Sequence, residues 1–82
     1  MNKDLMQRLE GVVWVDSDRM SGAPCFAGSR IPVQMLIDHL AAGLSLDEFL
    51  ETVPSLEREK ARRFLQIVGE YVRECASSLT SA

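Results

Sequence analysis

Gly43-Leu44-Ser45-Leu46-Asp47-Glu48-Phe49-Leu50-Glu51-Thr52-Val53-Pro54-Ser55-Leu56-Glu57 contains a helix stop, a helix start and a second stop in close succession. Gly43 follows Ala41-Ala42 and supplies the left-handed residue at which helices end. Ser45 with Glu48 three positions on has the capping-box form, in which each side chain satisfies the other's backbone N–H. Leu46, Phe49, Leu50 and Val53 then give a short helix its apolar face. Pro54 limits that helix, because the residue before a proline is pushed out of helical geometry. Ser55 is the expected cap of the next helix, with Glu57 placed against its dipole. A helix, a glycine, a short capped helix, a tight turn and a further helix are the parts of a helix-turn-helix corner.

Upstream, Pro32 suits a first helical turn, and Val33, Leu36, Ile37 and Leu40 repeat at helical spacing. Downstream, Ala61, Phe64, Leu65, Val68, Tyr71, Val72 and Cys75, with Ile67 beside them, trace an apolar stripe along a helix of about twenty residues. That length exceeds what a three-helix body covers, so its far end is expected to pack on a second copy. Near the N-terminus, Leu5 and Leu9 fit a short helix or turn, and Val12-Val13-Trp14-Val15 reads as a strand. Asp16-Ser17-Asp18 breaks that run. Residues 21–30 are rich in Gly, Pro and Ser and leave room for one short strand at Cys25-Phe26, paired with 12–15. The expected fold is mainly α with a short N-terminal β unit and a helix-turn-helix-like three-helix bundle. It divides into a β-containing arm and Gly/Pro loop (1–31), the helical bundle (32–76) and a flexible tail (77–82), all one domain.

The 82 residues are 46% hydrophobic and 26% charged, the profile of a folded chain rather than a disordered one. A domain of this size should expose roughly 4,900 Å². No apolar run approaches the ~20 residues of a membrane helix, and no signal-peptide core is present. Cys25 and Cys75 lie too far apart for a metal motif and read as buried free thiols of a cytoplasmic protein. The net charge of −3 opposes general attraction to nucleic acid, but residues 55–82 carry +1 against −4 for residues 1–54. Arg58, Lys60, Arg62 and Arg63, with Gln66 on the same side, would form a basic face on the helix that enters a major groove in such corners. Arginine forks suit guanine edges and phosphates, and lysine suits phosphates. Asp47, Glu48 and Glu51 would repel phosphate nearby.

Catalysis finds little support. His39 is the lone histidine and reads as a helix-surface or core-edge residue. Asp16 and Asp18 read as turn caps, and Gly22 and Gly28 lack the Lys-Ser/Thr of a phosphate loop. No cofactor or metal is implied, and the chain is read as non-enzymatic. Arg30, between a Gly-Ser turn and Ile31-Pro32, is expected as a buried structural clamp on a carboxylate or on backbone carbonyls. Gly22, Pro24, Gly28 and Ser29 shape its loop. Trp14 is core or a partner anchor, and Trp14, Phe64 and Tyr71 are the candidate interface residues. Met20 and Met35 read as core filler.

Gly22-Ala23-Pro24-Cys25-Phe26-Ala27-Gly28-Ser29-Arg30-Ile31-Pro32-Val33 resembles the Gly-x-Pro…Gly-Thr-Arg-Ile-x-Val segment of domain-of-unknown-function family 433, a group of small prokaryotic proteins. The likeness continues through residues 40–50 and Val53-Pro54-Ser55-Leu56, and it spans roughly residues 12–72. Ser29 stands where the family usually has Thr, Ala23 where a basic residue is common, and Val53 in place of an aromatic. The lost basic residue weakens any anion-binding role for the loop. The resemblance implies a self-associated dimer or tetramer and an antitoxin of the VapB type. Such an antitoxin binds and neutralises a PIN-like nuclease toxin and contacts its own operator DNA. The alternative from a different class is a protein-interaction and oligomerisation module without DNA binding.

Overall fold

The computed structural model describes residues 3–16, 18 and 22–80, with side-chain surroundings through residue 76. The expectations on Met20, Ser17 and the last residues of the tail lie outside that set. Helix α1 (Lys3–Arg8) has Asp4 in its first turn and Arg8 in its last, the arrangement its dipole favours. Six residues do not hold a helix in water unaided. Leu9, just past its end and 1% exposed, pins it to the core.

Strand β1 (Val13–Trp14) pairs antiparallel with β2 (Cys25–Phe26), in the register Val13↔Phe26 and Trp14↔Cys25. So small a sheet is marginal alone. It is held by the helices, with Val13, Cys25 and Phe26 buried and Trp14 facing outward. The expected strand pairing is therefore present, shortened to two residues a side.

Helices α2 (Val33–Ala41), α3 (Leu46–Thr52) and α4 (Arg58–Thr80) follow. Pro32 sits just before α2 rather than inside its first turn, at φ −63° and ψ 137°. Gly43, at φ +90°, ends α2 in a Schellman arrangement. Its N–H donates to Leu40 O, and the Leu44 N–H donates to His39 O, both at 3.0 Å. Ser45 starts α3 at once. Glu48 N donates to Ser45 Oγ at 3.1 Å, and Ser45 N to Glu48 Oε1 at 3.2 Å, completing the capping box. The helix stop and helix start read from the sequence are thus both built as written.

The start of α4 differs from expectation. Glu57, not Ser55, supplies the carbonyl that receives the first helical N–H groups, those of Lys60 and Ala61. Leu56, 7% exposed, turns inward and delays the helix until its side chain has reached the core. At the other end the α4 backbone stays helical to Thr80, past the 76 boundary set from the sequence.

The core gathers Leu9, just past α1, with Val13, Phe26, Leu36, Phe49 and Phe64 from the two strands and the other three helices. Phe26 and Phe64 meet edge to face with centroids 5.6 Å apart, a favoured aromatic geometry. The apolar stripes are only partly used. On α2, Val33 and Leu36 are buried, but Ile37 and Leu40 are exposed. On α4, Ala61 and Phe64 are buried, Val68 is half-buried and Val72 is exposed.

Candidate functional site

The turn between β2 and α2 is braced by side chains from two distant elements as well as by its own residues. Ser29 N donates to Phe26 O at 3.0 Å, closing a four-residue turn with Gly28 at its third position. Gly28 has φ +79°, as a type II turn requires there. The Ser29 hydroxyl donates to Phe26 O at 2.8 Å and accepts from Ile31 N at 3.1 Å. Two side chains from distant elements bind two more of its carbonyls. Trp14 Nε1 donates to Ser29 O at 2.8 Å, and Lys60 Nζ donates to Ala27 O at 2.8 Å. Val33 N donates to Pro24 O at 3.0 Å, joining the loop to the start of α2.

These bonds reverse two sequence expectations. Arg30 is exposed rather than a buried clamp, and the Phe26, Ala27 and Ser29 carbonyls are bonded by Ser29, Lys60 and Trp14 instead. Among the described residues Arg30 has no hydrogen-bond or ion-pair partner. Lys60, expected to meet phosphate, is instead half-buried and spent on the loop.

Two more cations of the basic face are also engaged. Arg58 pairs with Asp47 of α3. Arg62 makes two bonds to Glu59, at 3.1 and 2.9 Å. The Arg62 hydrogen bond is the main reason that the Glu59 carboxyl is held below its usual range, and the same bond raises Arg62. Arg63 and Gln66 are exposed, and Arg63 lines a hollow of about 310 Å³ with Glu10, Glu57 and Glu59. The corner therefore has the expected outline, but its cations are interleaved with carboxylates.

The three candidate interface residues separate. Trp14 is 41% exposed. Phe64 is 4% exposed and belongs to the core, packed on Phe26. Tyr71 is half-buried, its hydroxyl raised above the usual tyrosine value chiefly by a hydrogen bond with Cys75. Cys25 is a buried thiol as expected, whereas Cys75 is exposed. His39 is structural: its Nδ1 donates to Met35 O at 2.8 Å, and its ring meets Phe49 edge to face at 5.2 Å. Among the described residues no group of three or more His, Cys, Asp or Glu is placed to hold a metal ion. None of their helices is long and apolar enough to cross a membrane.

Sequence reasoning missed a hollow of about 270 Å³ between α1 and α2, floored by α4. Leu5 and Leu9 form one wall, Val33 and Ile37 the other, and Phe64 and Val68 the floor. Its one sequence signal was the unused apolar positions of α2. α1 is also tied to α4 by Arg8, which donates to both carboxylate oxygens of Glu74 at 2.7 and 2.8 Å. That bond lowers the Glu74 carboxyl and raises Arg8, which also lies 3.2 Å from Asp4.

The family model described as "Protein of unknown function (DUF433)" matches residues 13–66. The chain belongs to this family. The DUF433 segment holds the β unit, the braced turn, α2, α3 and the first part of α4, whereas α1 and the far half of α4 fall outside it. The chain is similar to a curated relative, "Uncharacterized protein y4eO" of Sinorhizobium fredii, at 39% identity over 51 residues. That stretch covers 62% of this chain and 23% of the relative, so the chain spans less than a quarter of the protein it matches. No solved structure matches it.

Proposed function

We propose that this DUF433 chain is a non-enzymatic binding module whose ligand is another protein, and that it serves as the antitoxin of a small PIN-like nuclease. The observation that supports a protein ligand is the apolar hollow between α1 and α2, continued by exposed Ile37 and Leu40. Exposed apolar surface of this kind marks interaction sites. The nuclease as partner rests on the family resemblance.

Tagged protein is purified from its native host with and without nuclease treatment, and co-purifying chains are identified by mass spectrometry. The expected result is a small nuclease-like protein in both preparations, lost when Ile37→Asp puts a charge on the hollow's wall. Recovery of the chain alone, at dimer or tetramer mass, would refute the antitoxin assignment and leave self-association as the use of this surface.

Operator binding is the second reading, favoured by the exposed Arg62, Arg63 and Gln66 on the corner's outer helix. An interface that neutralises phosphates loses affinity steeply with salt. Binding to its own upstream DNA should weaken steeply as salt rises and should fall further in Arg63→Ala. A flat salt dependence removes the DNA role.

A further inference from the structure

We propose that the braced turn of residues 27–30 is a preorganised anchor for a carboxylate-bearing segment of a protein partner. Arg30 supplies the fork and Trp14 the apolar platform. The inference rests on the reading of this chain as a protein-binding module, but it uses a different surface from the apolar hollow.

Three observations carry it. The first is rigidity: hydrogen bonds from Ser29, Ile31, Trp14 and Lys60 fix the turn, and Pro32 follows directly. A group held on so rigid a backbone loses less freedom on binding than one on a mobile loop. The second is that the Phe26, Ala27 and Ser29 carbonyls are bonded without Arg30, whose guanidinium is exposed and unpartnered among the described residues. Arg8, Arg58 and Arg62 are each paired with a carboxylate, and of the arginines without such a pair among the described residues (Arg30, Arg63 and Arg73) Arg30 is the one carried by the turn. The third is Trp14. Its N–H is spent on Ser29 O, the carbonyl that leads into Arg30, so the indole lies beside the turn. It remains 41% exposed, and neighbouring Val15 is 48% exposed.

An exposed arginine beside an exposed tryptophan on a rigid support has the composition of an interface hot spot. The arginine fork matches a carboxylate in two parallel hydrogen bonds. Phosphate would satisfy the fork as well, but nucleic acid would meet a chain of net charge −3. The apolar platform beside the fork favours a peptide.

The probe is a random twelve-residue peptide library displayed on phage and panned on the immobilised full chain. Trp14 is the only tryptophan, so its emission reports directly on this surface. Selected peptides should carry Asp or Glu beside an aliphatic or aromatic residue, and their synthetic forms should shift Trp14 emission. Arg30→Ala should weaken them by roughly tenfold or more, Arg30→Lys should keep part of the affinity, and Arg30→Glu should abolish it. An unchanged urea midpoint verifies that each variant is folded.

Binding that survives Arg30→Ala but is lost in Ile37→Asp overturns this inference while leaving the protein-binding reading intact. A library that yields no consensus overturns both. Arg30-dependent capture of a duplex DNA more tightly than any peptide also overturns it, in favour of a phosphate ligand.

Discussion

A single added methyl group should have opposite effects at two glycines of this chain. At Gly28 a Cβ would meet nothing within 4 Å, so no steric clash is expected. The backbone there stands at φ +79°, where a side chain costs roughly 1–2 kcal/mol. Alanine also narrows the unfolded ensemble, which returns about 0.4–1 kcal/mol. Gly28→Ala should therefore destabilise by about 1 kcal/mol. At Gly69, inside α4, a Cβ again meets nothing within 4 Å, and the backbone is helical. There alanine should stabilise by about 1 kcal/mol, the ordinary difference in helix propensity. Urea unfolding followed by Trp14 emission and far-UV circular dichroism reads both. With a slope of about 1–2 kcal/mol/M, the midpoints should move about 0.5–1 M in opposite directions. A stabilised Gly28→Ala variant would refute the left-handed turn on which the placement of Arg30 depends.

Ser45→Ala breaks the capping box and should cost about 1 kcal/mol, read in the same urea assay. Phe64→Ala should cost about 3–5 kcal/mol and act on folding rather than assembly, because the ring is buried against Phe26. A Phe64→Ala chain of native stability but altered mass would contradict its place in the core. The Glu74 carboxyl is lowered by Arg8, so this pair stabilises above the usual carboxylate pKa of about 4.3 and fades as pH falls through the depressed value. Arg8→Ala should therefore flatten the acid limb of the stability profile, and an unchanged limb in thermal melts from pH 6 to pH 2 would exclude the pair as its source.

The features that the sequence made legible are those whose partners lie close by in the chain. Gly43, Ser45 and Glu48 each satisfy backbone groups within five residues of themselves, and each does what its spacing indicated. The β pairing was legible because two short apolar runs flank a turn-rich segment. Lys60 was misread because its acceptor, Ala27 O, is 33 positions away and is a backbone atom that composition does not advertise. Arg30 was misread for the complementary reason: Trp14 and Lys60, remote in sequence, bind two carbonyls of its turn instead. The hollow could not be read from periodicity, since it depends on where the short α1 comes to rest.

The contact between Arg8 and Glu74 spans 66 positions, whereas the bonds around Gly43 close within five. Loop-closure entropy grows with the logarithm of that separation. The α2–α3 corner is therefore expected to form early in folding and the docking of α1 late. In the folded protein the same order runs in reverse, with α1 the first element to detach. Native-state hydrogen exchange should find its amides opening ahead of global unfolding. Each such opening would remove the Leu5 and Leu9 wall of the hollow and leave the Val33 and Ile37 wall in place.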